Sequence, residues 1–238
     1  MYWHAGKAHM PVECKMCHDT YRKQNPQWTI TVVSEETLPR YMDPGLARNI
    51  TQSRMRKSLQ ADLIRIYLLA RYGGVWADLT TICTRPLDNW IQSQTQAQLL
   101  LFTYDTPCSI SSWWLACPKA SKMAWMVYTH FLRDIVQNKW QELPDYFHFH
   151  AVFEKLCRTN AEFQRLYRYS PRLSSKDAHK FQDAEKSLKR PLTRAFQVRV
   201  DSPFSNAGIY KLYGRSQGSM DVSPGSGARY LLDQILRK

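Results

Sequence analysis

The apolar positions of this chain change period along its length, and the changes mark out its elements. Over Ser58 to Arg71 (SLQADLIRIYLLAR) they cover almost every side of a helix, which places that helix inside a domain. Gly73-Gly74 ends it, because glycine accepts the left-handed cap. Val75-Trp76-Ala77 then opens a strand that reaches Thr84, and Arg85-Pro86-Leu87-Asp88 turns the chain away.

Upstream, Tyr2 to Ala5 reads as a short strand and Pro11 to Gln24 as a helix. Trp28 to Val33 alternates and is β-branched, which predicts a second strand. Ser34 caps a helical turn over Glu35 to Tyr41, and Asp43-Pro44-Gly45 reads as a turn. Downstream, Leu99 to Tyr104 is a buried strand, Ser109 to Cys117 a further strand or its approach, and Pro118 to Val136 a long helix. Helices follow from Asp145 to about Cys157 and over Ala161 to Tyr167. Residues 170–192 are polar and lysine-rich, and are expected to form a mobile lid or an exposed helix. Phe196 to Val200 reads as a strand, residues 214–227 as a flexible loop, and Ala228 to Leu236 as a last helix. Strands alternating with helices predict one α/β domain over residues 1–238, with a central, mainly parallel mixed sheet flanked by helices. Its site is expected at the carboxyl ends of the strands.

Composition agrees with a folded domain: 44% of residues are hydrophobic and 13% aromatic, too many for a disordered chain. The net charge of +13 suits an anionic partner such as a nucleotide diphosphate or an anionic membrane surface. No arginine-rich arm, zinc-finger spacing or RNA-binding aromatic motif accompanies that charge, so nucleic acid is not the expected partner. Neither a signal-peptide apolar region nor a membrane-spanning run is present, and the expected location is the cytoplasm, either free or peripheral at a membrane. Cys14-Lys15-Met16-Cys17-His18 matches the haem-attachment pattern in form, but reads better as an amphipathic helix with Cys17 turned to the core. Reduced, mostly buried thiols are the expectation for all six cysteines.

Two acids stand where burial makes charge costly: Asp62 in the apolar helix, with Arg65 on the same face, and Asp78 in the strand behind it. A ligand is one reason to keep them, and an internal salt bridge is the other. The run Ala61-Asp62-x-x-Arg65, an apolar stretch, then Tyr72-Gly73-Gly74-Val75-Trp76-x-Asp78-x-Thr80 resembles the DxD-containing glycosyltransferases. It is most similar to the group named for capsular polysaccharide synthesis, relatives of the sugar-binding-region family and, further off, of the large clostridial glucosylating toxins. Weaker echoes follow at Tyr2-Trp3-His4, Asn25 to Trp28, Ile110 to Ala116, Asp145 to Phe153 and Ser202 to Leu212.

The resemblance implies a GT-A-like fold and transfer of a sugar from a nucleoside diphosphate donor, a UDP-hexose, to a hydroxyl of a glycan acceptor with retention. It implies that Asp78 and Asp62 orient the donor and its metal, and that Arg65 contacts the sugar. Tyr2 and Trp3 lie near the nucleobase, Ser112, Trp113 and His150 near the acceptor, and Lys211 on the diphosphate. A divalent ion, Mn²⁺ or Mg²⁺, is expected on Asp78 and Thr80. The motif departs from its pattern there, because Thr80 replaces the second acid and a neutral hydroxyl is a weak ligand. Lys211 or nearby arginines are the alternative counter-charge. Other readings are a catalytically silent nucleotide-sugar or glycan-binding relative, for which Thr80 argues, and a basic surface-binding protein.

Overall fold

A computed structural model describes residues 1–91, 98–106, 108–181, 208–212 and 220–237. In chain order these residues form α1 (Val12–Gln24), α2 (Pro44–Thr51), α3 (Lys57–Tyr72), β1 (Gly74–Ala77), β2 (Thr81–Cys83) and α4 (Asp88–Ile91). There follow β3 (Leu100–Thr103), β4 (Ile110–Cys117), α5 (Lys122–Gln137), α6 (His148–Thr159), α7 (Ala161–Tyr169), β5 (Arg172–Ser174) and α8 (Ser175–Ala178). The last two elements are β6 (Ile209–Lys211) and α9 (Gly227–Arg237).

α3 is the central helix that its apolar stretch predicts. Leu59, Leu63, Ile64, Ile66, Leu69 and Ala70 are all buried, and the helix packs along α5, whose Met123, Val127 and Phe131 share the same core. Gly73 caps it with φ 70°, and its Cα lies against the backbone of Pro118 and Lys119. That contact places the end of α3 beside the end of β4, so that β1 starts in register with it: Gly74 opposite Cys117 and Ala77 opposite Trp114.

The main sheet has the order β1-β4-β3-β5. β4 is antiparallel to both β1 and β3, and β5 is parallel to β3, so β1, β3 and β5 share one direction with β4 opposed. The sheet is mixed and helix-flanked as expected, but the mainly parallel pairing is corrected: among the described residues two of its three pairings are antiparallel. The cause is the short link from β3 to β4, closed by Tyr104 N–H donating to Ser109 O (3.1 Å); so tight a turn can join only antiparallel strands. Leu115 and Cys117 face α3 and α5, while Trp114 and Ala116 on the other face pack with Trp90 and Phe102.

The strand expected over Val75 to Thr84 is two strands in two sheets. The chain turns at Asp78, where Thr81 N–H donates to Asp78 O (3.1 Å), and β2 then pairs antiparallel with β6. Trp28 to Val33 keeps its alternating burial, yet only Val33 forms a bridge, parallel to Tyr2. The helical turn after Ser34 is a short 3₁₀ segment at Leu38–Arg40. Asp43-Pro44-Gly45 is not a free turn but the start of α2: Asp43 accepts from Leu46 N–H (2.9 Å), and proline is tolerated in the first turn.

Of the polar segment over residues 170–192, the structure describes the part as far as residue 181. That part is β5 and α8, with Ser175, Ala178 and Phe181 buried and Ser175 Oγ hydrogen-bonded to Ser111 Oγ (2.7 Å). Residues 182–192 and the strand expected at Phe196 to Val200 lie outside the described residues, as do 214–219 of the expected loop; Met220 beyond them is buried. All six cysteines are thiols, five of them buried, and Cys17 packs beside Leu231 and Leu232 of α9. Among the described residues no helix is long and apolar enough to cross a membrane.

The two glycines after α3 separate backbone strain from close approach. A Cβ on Gly74 meets nothing within 4 Å, whereas one on Gly73 meets the Pro118 carbonyl carbon at 2.7 Å. Gly74→Ala is expected to cost about 1 kcal/mol, the strain of a positive φ alone. Gly73→Ala adds a collision between two backbones and should cost about 3 kcal/mol or more. Urea unfolding of the two variants measures the difference.

Candidate active site

Four charged side chains meet where α3, β1 and β6 converge. Arg65 points from α3 to both acids: its Nη1 donates to Asp62 Oδ1 and its Nη2 to Asp78 Oδ1 (3.0 Å). Its guanidinium lies 5.0 Å from the centre of the Trp76 ring. Trp76 Nε1 donates to the same Asp78 oxygen (3.0 Å). Lys211 Nζ donates to Asp78 Oδ2 (3.1 Å) and to Thr80 Oγ1 (2.6 Å). The salt bridge and the site are therefore the same residues, and Arg65 serves as its internal cation.

The backbone holds this cluster from three sides. Asp78 N–H donates to Trp113 O of β4 (2.8 Å). Thr81 Oγ1 donates to Asp78 O (2.6 Å) and is itself joined to Tyr21 OH of α1 (2.8 Å). Lys211 sits opposite Thr81 in the β2–β6 ladder, and Leu212 N–H donates to Thr80 O (3.0 Å). The side chains are nearly closed off: Arg65 is 5% exposed, Lys211 10%, Asp62 13% and Asp78 27%.

The two acids differ in charge state because they differ in partners. Burial pushes the Asp78 carboxyl up, but Lys211 and Arg65 beside it outweigh that and hold it below the usual carboxylate range. For Asp62 burial prevails: Arg65, and more weakly Arg56, oppose it, Asp78 adds repulsion, and the carboxyl is pushed up to about 6. His150 is pushed down to about 4, by burial first and by the Arg65 charge second, and is neutral at pH 7.

These residues floor a cleft of about 1450 Å³. The residues to which the resemblance gives a role all line it: Tyr2, Trp3, Asp62, Arg65, Asp78, Thr80, Ser112, Trp113, His150 and Lys211. The cleft opens at the carboxyl ends of β1, β3 and β5, where Asp78, Tyr104-Asp105 and Lys176 stand, and includes the first half of the opposed β4. His148, in the same echo as His150, lies outside the cleft and pairs with Asp134 (3.0 Å). Of the echo from Ser202 to Leu212, the residues before Gly208 lie outside the described residues.

Sequence reasoning passed over other lining groups. Lys57, Lys176 and His179 add positive or titratable side chains, and Tyr104, Tyr146 and Phe147 add aromatic faces. Those three aromatic residues are about half exposed and present ring faces to the cleft. The available signal was aromatic residues placed next to polar ones, Tyr104-Asp105 after a strand and Asp145-Tyr146-Phe147 before a helix.

The residues present do not fit a divalent cation as they stand. Asp78 and Thr80 do meet, but around the Lys211 ammonium, and both Asp78 oxygens are already hydrogen-bonded. Among the described residues no group of three or more His, Cys, Asp or Glu side chains is placed to hold a metal. The cleft can instead fix an anion on Lys211 and accept hydroxyl hydrogen bonds on Asp62, with aromatic walls for ring-shaped groups.

No curated protein and no solved structure matches the chain. A family model described as capsular polysaccharide synthesis protein matches residues 1–193, which contain every cleft residue named here except Lys211. That match covers well over half of the 238 residues, and the chain therefore belongs to the capsular polysaccharide synthesis protein family.

Proposed function

We propose that this protein is a GT-A-like glycosyltransferase that moves a hexose from a UDP-sugar to a hydroxyl of a growing glycan, with retention. The observation that carries the reading is the convergence of Asp62, Arg65, Asp78 and Lys211 in one cleft with aromatic walls. Membership of a family named for capsular polysaccharide synthesis supports it.

The roles follow from chemistry. Tyr2 and Trp3 offer ring faces to the nucleobase. Asp62 accepts a hydrogen bond from a hydroxyl of the donor sugar, and Arg65 and Asp78 hold it in place. Lys211 meets the diphosphate. Ser112, Trp113 and His150 receive the acceptor, with the exposed rings of Tyr104, Tyr146 and Phe147 as surfaces for further sugars. The bond from the anomeric carbon to the β-phosphate oxygen breaks as the acceptor oxygen bonds to that carbon. The acceptor proton leaves with the diphosphate, which retention permits because both groups lie on one face of the sugar. Negative charge grows on the leaving group, and a fixed positive charge beside it lowers the barrier. The reading puts the protein in the cytoplasm, with its +13 charge turned to an anionic membrane surface.

Two predictions test it. Asp78→Asn removes the charge that fixes Arg65 and Lys211 and should lower nucleoside diphosphate release from the preferred donor by about 100-fold or more. Asp134→Asn, a substitution outside the cleft, should leave that release unchanged. Panels of nucleotide sugars assayed with both variants measure this, and equal rates in wild type and Asp78→Asn would defeat the reading.

The second concerns pH. The ionised Asp62 carboxylate accepts a stronger hydrogen bond from the sugar than the neutral acid does, so kcat/KM should rise through about pH 6 and level off above it, with a step that Asp62→Asn abolishes. Stability runs the other way. The folded carboxyl binds its proton more tightly than the unfolded one at 3.8, so the contribution of Asp62 is complete below 3.8 and is lost as pH rises through about 6. A pH–rate profile and urea midpoints over the same range measure the two opposed trends.

A further inference from the structure

We infer that Lys211 takes the place of the divalent cation in this site, so that the leaving diphosphate is neutralised by a fixed ammonium and no metal is required. The inference rests on the transferase reading for its functional part, but the site's choice of cation can be tested apart from it.

The first observation is position. The Lys211 ammonium lies 3.1 Å from Asp78 Oδ2 and 2.6 Å from Thr80 Oγ1, bridging the two motif positions that a metal would join. It is held there by the main chain, with Lys211 opposite Thr81 in the β2–β6 ladder and Leu212 N–H on Thr80 O. The second is charge. A motif with two carboxylates matches a divalent ion, while one carboxylate and a neutral hydroxyl match a single positive charge. Thr80 is thus matched to Lys211: its oxygen accepts from the ammonium without adding a second negative charge. The third is vacancy of ligands. Asp78 Oδ1 is committed to Arg65 and Trp76, so a metal would have to displace Lys211 from Oδ2. An expelled ammonium would then stand beside a divalent ion, with one carboxylate between them.

An ammonium has three donors, and Lys211 uses two of them on Asp78 and Thr80. Its third remains for a phosphate oxygen in the cleft that it lines. Asp78 and Thr80 aim the charge, and Lys211 is the residue that touches the leaving group.

The test uses the wild-type protein with two probes. Mn²⁺ binding is followed by electron paramagnetic resonance on the protein alone, and UDP binding by calorimetry in EDTA and in Mn²⁺. The expected results are no Mn²⁺ bound by the protein and UDP affinities that agree within about twofold in the two buffers. Lys211→Ala should weaken UDP binding about 30-fold or more in EDTA. The double variant Thr80→Asp with Lys211→Ala restores two carboxylates and should bind Mn²⁺. Mn²⁺ bound by wild type and lost in Asp78→Asn overturns the inference whatever the protein does with nucleotides. So does UDP binding that tightens tenfold or more with Mn²⁺. Absence of UDP binding in both buffers defeats the transferase reading, and with it the role given to Lys211. The wild-type measurements decide the question even if a variant fails to fold.

Discussion

The carboxylate of Asp78 is the point on which this structure turns. It collects donors from three elements: Arg65 from α3, Trp76 from β1 and Lys211 from β6. A charge this closed off is costly unless its partners are well placed, and removal of one partner leaves the others uncompensated. The network therefore fixes α3, the β1 turn and the small β2–β6 sheet relative to one another. It also explains why two acids at one site differ. Asp78 has two cations and stays ionised, while Asp62 shares one and titrates near pH 6. The site thus holds an ionised centre beside a neighbour whose charge changes near pH 6.

The fold delivers this carboxylate to the cleft through two breaks in the chain. At Gly73 the backbone passes so close to Pro118 and Lys119 that no side chain fits, and β1 starts level with the end of β4. At Asp78 the strand ends in a turn, so that β1 and β2 belong to different sheets and the residue between them faces the opening. A straight strand over the same residues would place Asp78 and Thr80 on one side of a single ladder, without Lys211 between them. The turn, rather than the strand, creates the pairing with β6.

Much of this was legible in the sequence, and what was not has physical causes. α3 and its glycine break were readable because a helix apolar on nearly every side, ended by two glycines, has few alternatives. Asp62, Arg65 and Asp78 stood out because charge among buried apolar residues needs a reason. The pairing of the sheet was not readable: periodicity tells which face of a strand is buried but not which strand lies beside it, and the tight β3–β4 link decided that. β5 and α8 were hidden because three-residue strands and single-turn helices carry no period, and Ser175 satisfies its burial by bonding to Ser111. α2 was missed because Asp-Pro-Gly serves equally as a turn and as a helix start. Lys211 was named by resemblance alone. Its contact with Asp78 spans 133 positions of sequence and depends on the register of β2 against β6.

The proposed occupant of the cleft over Asp78 is a nucleoside diphosphate, with Lys211 as its counter-charge. A crystal structure of the protein with UDP, grown in EDTA, tests it most directly. The expected result is a β-phosphate oxygen about 3 Å from Lys211 Nζ, with the Asp78 and Thr80 contacts of that ammonium intact and the uracil ring against Tyr2 or Trp3. UDP seated elsewhere, or a diphosphate in the cleft with Lys211 swung away from Asp78, would contradict it.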